Sequence, residues 1–172
     1  MKKSIYLFLT ITFFISCNTT EKETTINKKE ETKELNFLLD NWHKAAAEAN
    51  YKNYFNALDS ISVYVGTDAA EVWSKKEFSS FSKPYFKRGK AWSFTAVERN
   101  IYFNKDRNTA WFDELLDTWM GVCRGSGVLE KTENDWKIKH YVLSVTVPND
   151  NINDVIKVNK EKDSLFLSNY KN

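Results

Sequence analysis

Three carboxylates, Asp113, Glu114 and Asp117, lie inside an otherwise apolar run between Ala110 and Met120. Successive side chains of a strand point to opposite faces, so Asp113 and Glu114 cannot share one cavity. Parity groups Glu114 with Ala110 and Phe112, and Asp113 with Trp111 and Trp119; both sets are apolar, and Glu114 is taken as the inward one. A carboxyl group in an apolar pocket has a raised pKa and can abstract a proton from carbon. The alternative is a salt bridge with Arg99 or Arg124 on the surface or in a dimer face.

Strand alternation places His140 on the same face as Trp136 and Ile138. A histidine there can act as acid, base or hydrogen-bond donor, with Tyr141 as the alternative donor; the competing reading is a core histidine satisfied by a neighbour. Trp73 and Trp92 are amphipathic walls suited to a planar or apolar ligand, or else plain core. Arg124, beside Gly125-Ser126-Gly127, either clamps a ligand carboxylate or pairs with Asp113 or Glu114. Asp68 and Glu71 serve a pocket rim, or else Asp68 caps the turn from Asp68 to Glu71, itself of capping-box-like spacing. Cys123 has no base beside it and Ser126 lacks a nucleophile elbow, so neither is expected to attack a substrate. His43 and His140 are the only histidines, which excludes a Cys/His metal cluster; no phosphate loop or dinucleotide fingerprint occurs, and no cofactor is expected.

These residues must be positioned by a small set of elements. Leu35, Leu38, Leu39, Trp42, Ala45, Ala46 and Ala49 recur at helical spacing and predict a helix from Leu35 to Ala49, followed by a short helical piece from Tyr51 to Leu58. Ile61, Val63 and Val65 alternate as a strand closed by Gly66. Ser74-Lys75-Lys76-Glu77 is a capping box that opens a helix, which Pro84 is expected to end. Four strand-like runs follow, at 91–103, 109–120, 123–131 and 136–147, joined by turn-forming segments. Beyond Pro148 a short helix is expected to pack on the outside and then fray. The sum is an α+β domain with helices covering one face of a curved antiparallel sheet.

The start of the chain gives an address. Met1-Lys2-Lys3, an apolar run from Ile5 to Ile15 and Ser16-Cys17 form a signal-peptide layout, too short for a membrane span. Phe14-Ile15-Ser16-Cys17 resembles a lipobox, so residues 1–16 read as a lipoprotein signal peptide and Cys17 as the lipidation site, which would anchor the chain in the cell envelope facing the periplasm or the surface. Residues 17–34 read as a flexible tether, since they hold one Ile and no aromatic residue. Removal of Lys2 and Lys3 brings the formal charge of +2 to about zero, which disfavours a nucleic-acid partner.

Four patterns together resemble the SnoaL-like domains of the nuclear transport factor 2-like superfamily. They are Val65-Gly66-Thr67-Asp68 with Glu71 and Trp73; Ala110-Trp111-Phe112-Asp113-Glu114; the run from Gly121 to Gly127; and Trp136-Lys137-Ile138-Lys139-His140 with Ser144. They span residues 35–149, with 150–172 left as a C-terminal helix and tail. In such domains the last strand often carries Trp, an apolar residue, two His and Ser at alternate positions; here Val142 departs from the second His. The resemblance implies a cone in which a bent sheet wraps a long first helix and leaves a pocket at the wide end. Members of the superfamily include isomerases, dehydratases, cyclases and binding proteins, so fold alone does not set function.

Three readings follow. One is a membrane-tethered domain binding a small apolar or aromatic molecule without catalysis. Another is an enzyme of isomerase, dehydratase or cyclase type with Glu114 and His140 as acid–base pair. The last is a structural module that forms a homodimer through its outer sheet face.

Overall fold

The computed structural model describes residues 19–133 and 135–171. The expected signal peptide and the expected lipidation site, Cys17, lie outside the described residues. The chain divides into two compact units, one up to Glu34 and one from Leu35. The first is helical from Thr19, as the leading part of α1 (Thr19–Ala47), where irregular chain was expected. Its Lys and Glu residues are good helix formers, and a Lys33–Glu30 ion pair of 2.9 Å lies along it.

In the second unit α1 buries Leu35, Leu39, Trp42, Ala45 and Ala46, the helical stripe read from the sequence. Ala49 adopts φ 53°, and the Asn50 side chain accepts the Asn53 N–H to start α2 (Tyr51–Ala57). Strand β1 (Leu58–Val65) leads through a turn to the short β2 (Val72–Ser74). Ser74 and Glu77 close the expected capping box of α3 (Lys75–Lys87). Pro84 does not end this helix. It lies in the last turn, where its missing N–H costs a single bond, and the stop comes at Gly89, whose φ of 79° suits a residue without a side chain.

Strands β3 (Thr95–Phe103), β4 (Thr109–Thr118), β5 (Gly121–Lys131) and β6 (Trp136–Val145) form the expected antiparallel meander. The six-stranded sheet has the order β2-β1-β6-β5-β4-β3, with β1 parallel to β6. Helix α4 (Ile152–Ser168) departs from expectation: none of its residues is buried, so it does not pack against the sheet.

Register irregularities in the sheet set which side chains face inward. In β3 the register against β4 shifts between Ala96 and Glu98, and in β6 Leu129 pairs with Ile138 while Val128 pairs with His140, leaving Lys139 as the extra residue of a bulge. A bulge resets strand alternation. Trp136 and Ile138 therefore point to the helices, and beyond the bulge Tyr141 and Leu143 do so instead of His140. The cross-strand partners of His140, Val128 and Val63, lie between inward-facing neighbours, which puts all three on the outer face. The chamber keeps its floor, with Tyr141 where His140 was expected.

Candidate functional site

Inside the cone, β4 alternation carries Ala110, Phe112, Glu114, Leu116 and Thr118 inward, as parity suggested for Glu114. Glu114 is 0% exposed and fully partnered. His43 on α1 donates from Nε2 to Glu114 Oε1 at 2.8 Å, and the Tyr141 hydroxyl donates to the same oxygen at 3.1 Å. Arg99, directly opposite on β3, donates from Nε to Oε2 at 2.8 Å. Its Nη1 reaches back to α1, to Asp40 Oδ1 at 2.8 Å and Asn36 Oδ1 at 3.1 Å. Glycine makes this cluster sterically feasible: a Cβ on Gly125 would collide with the Tyr141 hydroxyl and with Glu114.

The electrostatics reverse the sequence expectation of a raised carboxyl pKa. Burial alone would push Glu114 up, but the hydrogen bond and charge of His43, together with Arg99, outweigh it and hold the pKa below the ordinary value. Burial and the neighbouring Glu114 charge push the Tyr141 phenol well up, so it remains a donor. Glu114 is thus an ionised carboxylate with its lone pairs occupied and no access to solvent, an arrangement that cross-links α1, β3, β4 and β6.

The expected acid–base pair does not form. His140 lies on the opposite side of the sheet from Glu114. Arg124 also points outward, where its half-exposed guanidinium lies 3.2 Å from Asp113, the surface pairing weighed as its alternative role. Tyr141 faces inward but is bound to Glu114 in the core and is not part of the lining of the aromatic cavity beside α3. His43 was missed as a site residue; the available signal was its place one helical turn after Leu39 on the apolar stripe of α1.

An open aromatic cavity lies elsewhere, beside α3, with a volume of about 320 Å³. Trp73 and Trp92, both expected as pocket walls, line it. Tyr64, Phe78 and Leu143 form its base, and Phe81, Tyr85 and Trp119 extend its aromatic lining. The rings are aligned: Trp73 stacks on Phe78 at 5.4 Å and 12°, on Phe81 at 4.7 Å and 25°, and Phe78 stacks on Tyr64 at 3.9 Å and 16°. Strand β1 and β2 pairing places Tyr64 opposite Trp73, while the Ser74 cap directs α3 so that Phe78 meets both. Trp119, 80% exposed in the β4–β5 turn, stands at the mouth. The polar part of the lining is Thr67 and Glu71, in the turn where Asp68 Oδ1 accepts the Ala70 N–H and Glu71 Oε2 accepts the Asp68 N–H. Asp68 thus caps the turn, as weighed for it, and Glu71 lies on the rim.

Among the described residues no group of His, Cys, Asp and Glu is arranged to hold a metal ion, and no helix is long and apolar enough to cross a membrane.

Comparison with known proteins places the architecture. No curated protein matches the chain. Among solved structures, an NTF2-like protein of unknown function from Pseudomonas putida KT2440 is similar at TM-score 0.59 and 11% identity, covering 72% of this chain and 92% of that one. A protein from Streptomyces avermitilis, whose name proposes a dehydratase of the NTF2-like family, matches at TM-score 0.59 and 11% identity, covering 70% and 99%. An uncharacterized protein with a cystatin-like fold from Caulobacter vibrioides matches at TM-score 0.56 and 15% identity, covering 75% and 98%. At these identities the likeness is one of fold. The SnoaL-like domain matches residues 35–148, the helices and sheet that build both the buried cluster and the aromatic cavity, and the chain belongs to this SnoaL-like family, with a fold like that of the NTF2-like structures.

Proposed function

We propose that this protein is a lipid-anchored binding domain of the bacterial cell envelope, tethered through Cys17, that holds a small apolar or aromatic molecule in the cavity lined by Trp73 and Trp92. The observation that carries the reading is the division of labour inside the cone. The aromatic cavity is of a size suited to a small ligand, while Glu114, the strongest candidate for proton transfer, is sealed, its oxygens taken up by three hydrogen-bond donors. General acid–base chemistry needs a group within reach of the substrate, and the lining of the cavity offers only Thr67, Glu71 and Tyr85 near its mouth and Tyr64 at its base.

The test is a fluorescence titration of the full-length protein with 2-naphthylmethanol, a neutral planar probe. Saturable quenching is expected, weakened about tenfold or more by Trp73→Ala; wild-type protein that shows no saturable response contradicts the reading. The anchor is tested separately by metabolic labelling with a fatty acid, which Cys17→Ala should abolish.

A specific observation favours a second property, self-association. On the outer face Tyr102 stacks on Trp111 at 6.0 Å, and both are nearly half exposed. Apolar residues concentrated on a sheet face commonly mark an interface. Sedimentation should show a dimer that Trp111→Glu dissociates, and a monomer at all concentrations contradicts it.

A further inference from the structure

The cavity has one charge. Among the residues that line it Glu71 is the sole ionisable group of fixed sign at neutral pH, and neither Lys nor Arg contributes to the wall. Glu71 belongs to the turn between β1 and β2, and its carboxylate folds back over Gly66. That approach depends on the glycine, since a side chain there would collide with Oε2. The Asp68 N–H holds the same oxygen at 3.3 Å, and among the described residues no cation pairs with this carboxylate. The turn therefore presents an uncompensated negative charge to a chamber whose walls are aromatic faces.

Indole and phenyl faces attract cations through their quadrupoles, and Trp does so most strongly. Trp73, stacked between Phe78 and Phe81, is a rigid face of this kind, and Trp92 and Trp119 supply two more. A carboxylate repels anionic ligands and gives nothing special to neutral ones. Resting on the binding reading above, we propose that the cavity selects organic cations, namely aromatic or alkyl amines in their ammonium form, with the charged end at Glu71 and the apolar body among Trp73, Trp92 and Phe81. The assignment separates the two polar clusters of the domain: Arg99 and His43 compensate Glu114 inside the protein, whereas the charge on Glu71 awaits a counterion from the ligand.

The test uses three probes of one shape with the full-length protein: 2-naphthylmethylamine, 2-naphthylmethanol and 2-naphthoate, titrated at pH 7 and low salt. The amine is expected to bind about tenfold or more tightly than the alcohol, and the naphthoate most weakly. Glu71→Gln keeps an oxygen for the Asp68 N–H; in that variant the amine should bind no more tightly than the alcohol, and saturable binding of the alcohol to the same variant reports that the cavity remains folded. Equal binding of all three probes, or a preference for the amine that survives Glu71→Gln, overturns the cation assignment while the binding reading stands. Failure of all three to bind wild-type protein overturns both.

Discussion

His43 Nε2 and Glu114 Oε1 lie 2.8 Å apart across 71 residues of sequence, and this buried bond ties the first helix to the middle of the sheet. Together with Arg99 and Tyr141 it turns the most chemically suggestive carboxylate of the chain into a structural one.

Removing that carboxylate leaves a buried guanidinium and imidazole without their acceptor. Glu114→Ala is expected to cost about 3–5 kcal/mol, the range for breaking one partner out of a buried ion pair. Urea unfolding followed by tryptophan fluorescence measures it; a loss below about 1 kcal/mol contradicts the assignment.

The same cluster predicts a direction of acid sensitivity. The folded state holds Glu114 below its ordinary value of 4.5, so it binds fewer protons than the unfolded state and Glu114 contributes stability above that value. The contribution is lost as pH falls below 4.5 and through the lower folded pKa. Wild-type stability measured by urea melts between pH 7 and pH 3 should fall more steeply than that of Glu114→Gln; parallel profiles contradict the prediction.

The bulge at Lys139 makes neighbouring substitutions unequal. Tyr141→Phe removes a buried hydroxyl from Glu114 and should cost about 0.5–1.5 kcal/mol. His140→Ala, on the outer face, should stay within about 0.5 kcal/mol of wild type. Thermal unfolding of the two variants distinguishes this phase from unbroken alternation, which predicts the reverse order.

Gly125→Ala tests the close approach of β5 to the cluster. Its methyl group would press on the Tyr141 hydroxyl and Glu114, and overpacking of this kind costs about 1–3 kcal/mol. An unchanged melting temperature would mean that Tyr141 lies farther from β5 than the structure places it.

How far the sequence carried can be judged from particular residues. Local patterns located the apolar stripe of α1, the capping box at Ser74 and the meander, because each is imposed by one element; parity left Asp113 and Glu114 both open, and the preference for Glu114 was settled by the sheet. His140 was misplaced because a bulge is a property of the pairing between strands, invisible in a single run of alternating residues. Pro84 misled in the same way: its cost depends on how many helical bonds remain beyond it, and only one turn did. His43 and Glu114 meet through tertiary packing, so their relationship had no local signature. Trp73 and Trp92 were legible as walls by residue type, while Phe81, Tyr85 and Trp119 joined them only once α3 and the β4–β5 turn were placed.

The six tryptophans of the chain offer the most direct test of the central claim, that the ligand site is the aromatic cavity beside α3. In a ¹H–¹⁵N spectrum of the full-length protein titrated with 2-naphthylmethanol, the indole N–H signals of Trp73, Trp92 and Trp119 should shift saturably. Those of Trp42 and Trp136 in the core and Trp111 on the outer face should stay in place. Shifts confined to Trp111, or spread evenly over all six without saturation, would contradict the account.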